Sequence, residues 1–352
     1  MTFVLAFVAS GVVVVFAGTA LARYGDAIAE ATTIGRLWIG AVLLAGATSL
    51  PELTTDIAAV RLGATDLAVG DLFGSSMANM LILAVIDLLP PRRHVLQHVT
   101  LDHALAACLA ITLNALAAVL VLVRPESSVA WVGPGSLLLI LAYVAGTRAV
   151  YRHSARAVAT PSPRPESTHA DTAAPAPSLA MAGADAPLAP KLSLRRAVLG
   201  FALAALVVLA VAPVFAWSAK GIAEISGLGN TFVGTWLVGL ATSLPELVAC
   251  IAAVRMGSFD LAVGNLFGSN AFNMAIFFAL DAVQPGNLFA SLDPGHVLSA
   301  LFAVVLMGLG LAAIVYRAKR RFAMLEPDSL LMLVAYAAAI WLLYTHTTGG
   351  GS

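Results

Sequence analysis

Residues Ala47-Thr48-Ser49-Leu50-Pro51-Glu52-Leu53 recur letter for letter as Ala241-Thr242-Ser243-Leu244-Pro245-Glu246-Leu247. The match widens without a gap to residues 40–87 and 234–281, at a constant offset of 194 and with 28 of the 48 pairs identical. Asp66–Gly70 likewise returns as Asp260–Gly264. Chance does not produce this agreement, so the chain contains an internal duplication.

The surroundings of the repeat set its environment. Of 352 residues, 60% are hydrophobic and only 11% charged, against about 25% charged in an ordinary soluble domain. Apolar runs close to the roughly 20 residues of a spanning helix recur from end to end. Ten are expected: 2–22, 34–60, 66–89, 99–123, 128–150, 194–218, 230–254, 260–283, 296–316 and 328–345. The first reads as a span rather than a signal peptide, because no basic segment precedes it and the apolar run is too long. Residues 151–193, rich in Ala, Pro, Ser and Thr, read as a flexible linker between a first half, 1–150, and a second, 194–352. Cys108 and Cys250 fall inside apolar runs and read as small core residues.

Basic residues orient the array, since cytoplasmic loops retain them. With the linker cytoplasmic, 16 of the 19 Lys and Arg residues lie inside and only Arg61, Arg124 and Lys220 outside. Both termini are then outside, in a cell membrane, plasma or inner. An offset of five spans is odd, so the second copy enters the bilayer in the opposite sense to the first. The expected fold is an all-α membrane protein with ten transmembrane helices, arranged as two inverted five-helix repeats with Pro-broken helices at the midplane. Inverted repeats with interrupted helices at matching places are the sequence signature of secondary transporters, whose site lies between the repeats.

Glu52 and Glu246 sit at matching depths in their apolar segments, too far in to reach an interface. A charge at the bilayer centre costs at least about 2.5 kcal/mol, which marks these carboxylates as functional and makes a cation the first partner to consider. Pro51 and Pro245 have no N–H, so the carbonyls of Ala47 and Ala241 lose their helical partners and the helix breaks beside each glutamate. Such backbone is tolerated at that depth only where it is buried in protein or lines a cavity. Carboxylates, the hydroxyls of Thr48, Ser49, Thr242 and Ser243, and freed carbonyls are all hard oxygen donors. That set suits Ca2+ and Na+, and it lacks the imidazole or thiolate that would favour Zn2+ or Cu+. In the next span of each half, Ser75 and Asn79, and their twins Ser269 and Asn273, are four residues apart and share a helix face.

Together these residues resemble the paired alpha repeats of the cation/calcium exchanger superfamily, most closely its prokaryotic sodium/calcium exchangers. The resemblance implies Glu52 and Glu246 as central ligands. It adds Thr48, Ser49, Thr242, Ser243, Ser75, Ser269, Asn79 and Asn273, and carbonyls near Ala45 and Gly239. It implies transported Ca2+ and Na+ with no cofactor, and alternating access in which spans 1 and 6 slide over the remaining eight. Asn273 stands where many members have Asp, a residue associated with potassium in the potassium-dependent exchangers. Asp71 stands where the pattern has Asn, as at its twin Asn265; ligand, hydrogen-bond partner behind the ligands and proton carrier all stay open for it. Asp56, one turn beyond Glu52, could belong to the access path, but Cys250 at its twin position argues against a symmetric role.

The nearest competitor is a proton/calcium or other divalent-cation exchanger, in which the same glutamates carry H+. A cation channel needs a continuous pore rather than a closed midplane pocket. An enzyme is disfavoured because neither HExxH nor GxSxG is present. Zero net charge and the absence of basic clusters interleaved with aromatics argue against nucleic acid. No feature calls for an obligate protein partner; the lipid bilayer and inorganic cations suffice. Asp87 and Asp281, near span ends, are expected at the interface, and His103 as an interhelical residue.

Overall fold

The computed structural model describes residues 2–32, 34–88, 95–125, 127, 132–159, 192–225, 239–284, 287–316 and 327–349. Among them the chain is helical, with no β-strand: α1 (Thr2–Ala31), α2 (Arg36–Thr48), α3 (Leu50–Arg61), α4 (Thr65–Leu88), α5 (His103–Val123), α6 (Pro134–Ala159), α7 (Leu194–Ile225), α8 (Leu244–Arg255), α9 (Phe259–Val283), α10 (His296–Tyr316) and α11 (Pro327–Gly349). Eight of these are long and apolar enough to cross a membrane, and the bent pair α2–α3 brings the number to nine. The chain is therefore a multi-pass membrane protein. The remaining expected span, 230–254, begins outside the described residues and is represented by a helical turn at 239–242 and by α8. Most of the expected linker, and the basic loops carrying Arg92, Arg93 and Arg317–Arg321, also lie outside the described residues.

Each half-helix ends as its sequence dictates. Gly63 and its twin Gly257 take φ of +77° and +79°, a left-handed conformation that costs a glycine nothing. Ala64 N–H then bonds back to Ala59 O and Ser258 N–H to Ala253 O, closing both C-termini and turning the chain into α4 and α9.

α4 and α9 are the most enclosed helices. Thr65, at the start of α4, hydrogen-bonds Gln284, just past the end of α9, at 2.9 Å, so the twin helices run antiparallel. The bonds at their ends are reciprocal. Asp66 accepts from Asp293 N–H and pairs with His296 Nε2 at 3.0 Å; its twin Asp260 accepts from Thr100 N–H and pairs with His103 Nε2 at 3.0 Å. Asp87 accepts from Leu96 N–H and Ser329 Oγ–H, while Asp281 accepts from Leu288 N–H and Ser136 Oγ–H. Asp66 and Asp281 thus mark one face of the molecule, and Asp87 and Asp260 the other. His103 is an interhelical residue as expected. Asp87 and Asp281 stand near helix ends and are buried within the protein, 1% and 0% exposed, because each carboxylate binds donors from a neighbouring loop and helix start that would otherwise be unpaired.

In lipid, helices associate through close packing and small residues rather than through the hydrophobic effect. A Cβ on Gly264 would lie 2.8 Å from Leu37 O and one on Gly40 2.5 Å from Leu261 O, so α2 and α9 cross backbone to backbone. At that crossing α2 widens into a π-helical turn over Ile39–Leu44. Outside this core, α1 and α7 form the most extensive helix pair and run antiparallel, with Tyr24 over Gly200 and Phe3 over Gly221. Their outer faces carry exposed Leu5, Val8, Phe16, Leu199, Leu203 and Leu206, the surface that meets lipid tails. Cys108 also faces outward, so only Cys250 is the core residue expected for both.

Replacing Asp281 with Ala would strand three buried donors, the N–H groups of Gly133 and Leu288 and the Ser136 hydroxyl. At about 1–3 kcal/mol for each unsatisfied group, the expected loss of stability is about 3 kcal/mol or more, and Asp281→Asn should lose less. Thermal unfolding in detergent measures it; equal midpoints for Asp281→Ala and wild type would show that water replaces the carboxylate.

Candidate cation site

The break beside each glutamate has a simple local cause. Pro51 and Pro245 occupy the first turn of α3 and α8, where a missing N–H costs nothing, but neither can continue the helix behind it. Ser49 (φ −89°, ψ 8°) and Ser243 (φ −80°, ψ 5°) absorb the change of direction, and α2 and α3 meet at a 40° bend. Each glutamate then sits in the first turn of a half-helix, at the positive end of its dipole, where a carboxylate is favoured. Neither serine caps its own helix, which leaves both hydroxyls free for other partners.

The two halves meet through these residues. Ser49 donates to Glu246 Oε1 at 3.1 Å, so a hydroxyl of the first repeat holds the carboxylate of the second. Ser269 donates to the same oxygen at 3.5 Å. Ser75 and Thr242 hydroxyls lie 3.4 Å apart, and Thr48 Oγ1 donates to Asn265 Oδ1 at 3.2 Å. Every one of these side chains is buried. The second oxygens of Glu52 and Glu246, the Ser243 hydroxyl, Asn79 Oδ1 and both amide atoms of Asn273 have no hydrogen-bond partner. Apart from Asn273 Nδ2, they are oxygen atoms held out of water without protein donors to meet them.

Ten expected ligands thus fall into two groups. Thr48, Ser49, Thr242, Ser75 and Glu246 make hydrogen bonds across the repeat boundary and Ser269 joins them through Glu246 within the second half, whereas Ser243, Asn273 and the free oxygens of Glu52 and Asn79 are buried and unpartnered. Of the carbonyls, Ala45 O accepts from Ser49 N–H and Thr48 Oγ1, and Gly239 O from Ser243 N–H and Thr242 Oγ1, so both are engaged in this structure. The Ala47 and Ala241 carbonyls face Pro51 and Pro245, which have no N–H to offer.

Asp71 and Asp56 belong to the same neighbourhood. Thr242 Oγ1 donates to Asp71 Oδ1 at 3.4 Å, Asp56 and Asp71 lie within hydrogen-bond reach of each other, and Glu52 is close enough to feel the charges of Glu246, Asp71 and Asp56. Among the described residues, the ion pairs of Arg36, His103, His153 and His296 are all made with other acids. Nor do any three His, Cys, Asp or Glu side chains among the described residues converge as a metal centre of such ligands would. A cation here must draw on hydroxyl, amide and carbonyl oxygens besides carboxylates, a donor set typical of Ca2+ and Na+.

Asn270 and Asn114 were not anticipated. Asn79 Nδ2 donates to Asn270 Oδ1 at 2.9 Å, which turns the Asn79 amide so that its oxygen is the unpartnered atom, and Asn114 Nδ2 donates to the Asn270 backbone carbonyl at 3.3 Å. A lone Asn within the apolar run of α5 was the available signal for Asn114.

Comparison with known proteins follows the duplication. The model of a family described as sodium/calcium exchanger protein matches residues 2–151 and again 196–345, once in each half. A putative antiporter, CaxA of Alkalimonas amylolytica, is 26% identical over 328 residues, covering 92% of both chains. The sodium/calcium exchanger MaX1 of Methanosarcina acetivorans is 43% identical over 61 residues, or 17% of each chain. Solved structures of the sodium-calcium exchanger NCX_Mj superpose with a TM-score of 0.67 at 20% identity, covering 96% of this chain and 97% of that one, which shows a shared fold. With both halves matched and their glutamates brought together between antiparallel twin helices, this multi-pass membrane protein belongs to the sodium/calcium exchanger protein family.

Proposed function

We propose that the protein is a secondary antiporter that exchanges Ca2+ for Na+ at a site centred on Glu52 and Glu246. The observation that carries this reading is the cross-repeat contact of Ser49 with Glu246, which joins the neighbourhoods of two buried carboxylates that have no basic partner among the described residues and have unpartnered oxygens around them. Family membership and the likeness to the sodium/calcium exchanger MaX1 support the choice of ions. The ligand set comprises Glu52, Glu246, Thr48, Ser49, Thr242, Ser243, Ser75, Ser269, Asn79 and Asn273. Carbonyls of Ala45, Ala47, Gly239 and Ala241 contribute once the serine and threonine donors that hold the first and third of these turn away.

Charge then sets the transport rule. Two ionised glutamates are neutralised by one Ca2+ or by two Na+, so occupancy is mutually exclusive. An uncompensated pair in low dielectric is costly to carry through a closed state, so the loaded site changes sides far more readily than the empty one, and flux is exchange rather than leak. The frame is ten helices in two inverted sets of five, in a cell membrane with the linker cytoplasmic and the termini outside. α1 and α7 pack mainly on each other and on the half-helices, α1 on α8 and α7 on α3, which makes them the elements that slide to expose the site alternately.

In liposomes, an outward Na+ gradient should drive labelled Ca2+ uptake, and Glu52→Gln or Glu246→Gln should abolish it while the purified protein keeps its elution profile and melting behaviour. Uptake driven by an outward proton gradient instead would make the protein a proton-coupled exchanger, and gradient-independent flux would overturn the exchanger reading.

The two serines separate by role. Ser49→Ala removes the donor to Glu246 and should weaken Ca2+ binding about tenfold, the equivalent of one charge-assisted hydrogen bond of roughly 1.5 kcal/mol. Ser243→Ala removes no hydrogen bond in this structure and should weaken binding only through a lost ligand oxygen. Calcium titrations of the two variants measure the difference; a Ser49→Ala variant that binds as wild type would remove the cross-repeat contact from the site.

A further inference from the structure

The surroundings of the two glutamates are chemically unequal. In one, Thr48 Oγ1 meets Asn265 Oδ1 at 3.2 Å and Asn265 Nδ2 donates to Cys250 Sγ at 3.5 Å. The twin positions are Thr242, Asp71 and Asp56. There Thr242 Oγ1 meets Asp71 Oδ1 at 3.4 Å, and Asp71 lies against Asp56, the same three-residue geometry with two carboxyls in place of amide and thiol.

The replacement changes the hydrogen-bond arithmetic. Asn265 accepts from the threonine on one side and donates on the other, so its chain is satisfied without charge. A carboxylate only accepts. Asp71 and Asp56 therefore confront each other as two acceptors, both 1% exposed, and each has an outer oxygen, Oδ2, with no partner at all. The basic and histidine side chains whose ion pairs are known, Arg36, His103, His153 and His296, are committed to Asp26, Glu30, Asp260, Asp102 and Asp66. Buried carboxylates in this arrangement need either a shared proton or a cation between or beside them.

We propose that Asp56 and Asp71, with the Thr242 hydroxyl, form a second binding position for a hard cation, adjoining the Glu52/Glu246 site. Its donors are two carboxylates and a hydroxyl, hard oxygens that serve Na+ and Ca2+ alike. Thr242 touches Asp71 on one side and Ser75 on the other, so this position and the central one share a ligand. Glu52 lies within electrostatic range of both aspartates, so occupancy of one position changes affinity at the other. The second half cannot build a counterpart, because Cys250 and Asn265 already satisfy each other. The chain therefore carries one added cation on one side of its pseudo-symmetric centre. The proposal deepens the exchanger reading and rests on Glu52 and Glu246 forming the neighbouring site.

Equilibrium binding of labelled Na+ and, separately, labelled Ca2+ to the purified full-length chain in detergent tests it. Three variants are compared with wild type: Asp71→Asn, which installs the donor present at the twin position, Asp56→Cys/Asp71→Asn, which installs the whole neutral set, and Glu52→Gln/Glu246→Gln. Both aspartate variants should bind one cation fewer per chain at saturation, in the Na+ arm, the Ca2+ arm or both, and the arm that changes identifies the ion. Asp71→Asn is nearly isosteric and keeps the test decisive if the double variant does not fold. An unchanged count in both arms for Asp71→Asn would overturn the proposal, leaving the acid pair satisfied by a shared proton. The glutamate variant reports independently on the central site: full binding there would refute the exchanger site while the aspartate arms still decide this one.

Discussion

Everything in this fold is arranged around two carboxylates that cannot be left alone. A charge at the centre of a bilayer costs about 2.5–3.5 kcal/mol on insertion scales, and it persists only where a partner or a cavity repays it. Glu52 and Glu246 have no cationic side chain among their recorded partners; Glu246 is held by the hydroxyls of Ser49 and Ser269, and one oxygen of each glutamate is unpartnered. The proline before each glutamate supplies the other half of the arrangement. It interrupts the helix where the carboxylate stands, turns a helix N-terminus toward it, and leaves a backbone carbonyl without its usual donor.

Duplication with inversion solves the assembly problem that this creates. One broken helix could not enclose its own charge, since its polar backbone would face lipid. Two antiparallel copies enclose each other's: Ser49 serves Glu246, and the π-helical turn of α2 lies against α9 with glycines on both sides of the crossing. The reciprocal clamps, Asp66 with His296 and Asp260 with His103, then lock α4 and α9 to the helices after them at opposite faces. α1 and α7 lie outside those clamps, and α1 is tied to the core near its C-terminal end, where Asp26 accepts from Ser258 Oγ and Arg36 Nε, both at 2.6 Å. Their mutual contact includes glycine against aromatic ring, Gly200 on Tyr24 and Gly221 on Phe3.

How far the sequence could be read follows from which physical signals are local. The repeat, the apolar runs and the proline–glutamate pairs are local, so the helix order, the antiparallel twins and the burial of the two glutamates could be anticipated from residues alone. Distances across the repeat boundary are not local. Asp87 and Asp281 could be placed at span ends, but not their burial, which is decided by donors that include hydroxyls far away in sequence, Ser329 for one and Ser136 for the other. Asn270 escaped notice for the same reason. Its part is to orient Asn79, and only the fold brings the two within 2.9 Å.

Asp56 shows the limit of symmetry as a guide. Its twin is Cys250, and a residue whose twin is apolar looks unsuited to a site built from paired elements. In the structure the two differences cancel: Cys250 faces Asn265, and Asp56 faces Asp71, so each half matches an unusual residue with an unusual neighbour. A duplicated scaffold holds the backbone positions of the two halves alike and leaves their side chains free to diverge together, provided that each local set of donors and acceptors still closes. In the second half it closes within the protein, amide to thiol. In the first it does not close among protein atoms, and a binding site is the physical form that such an imbalance takes when it is buried and kept.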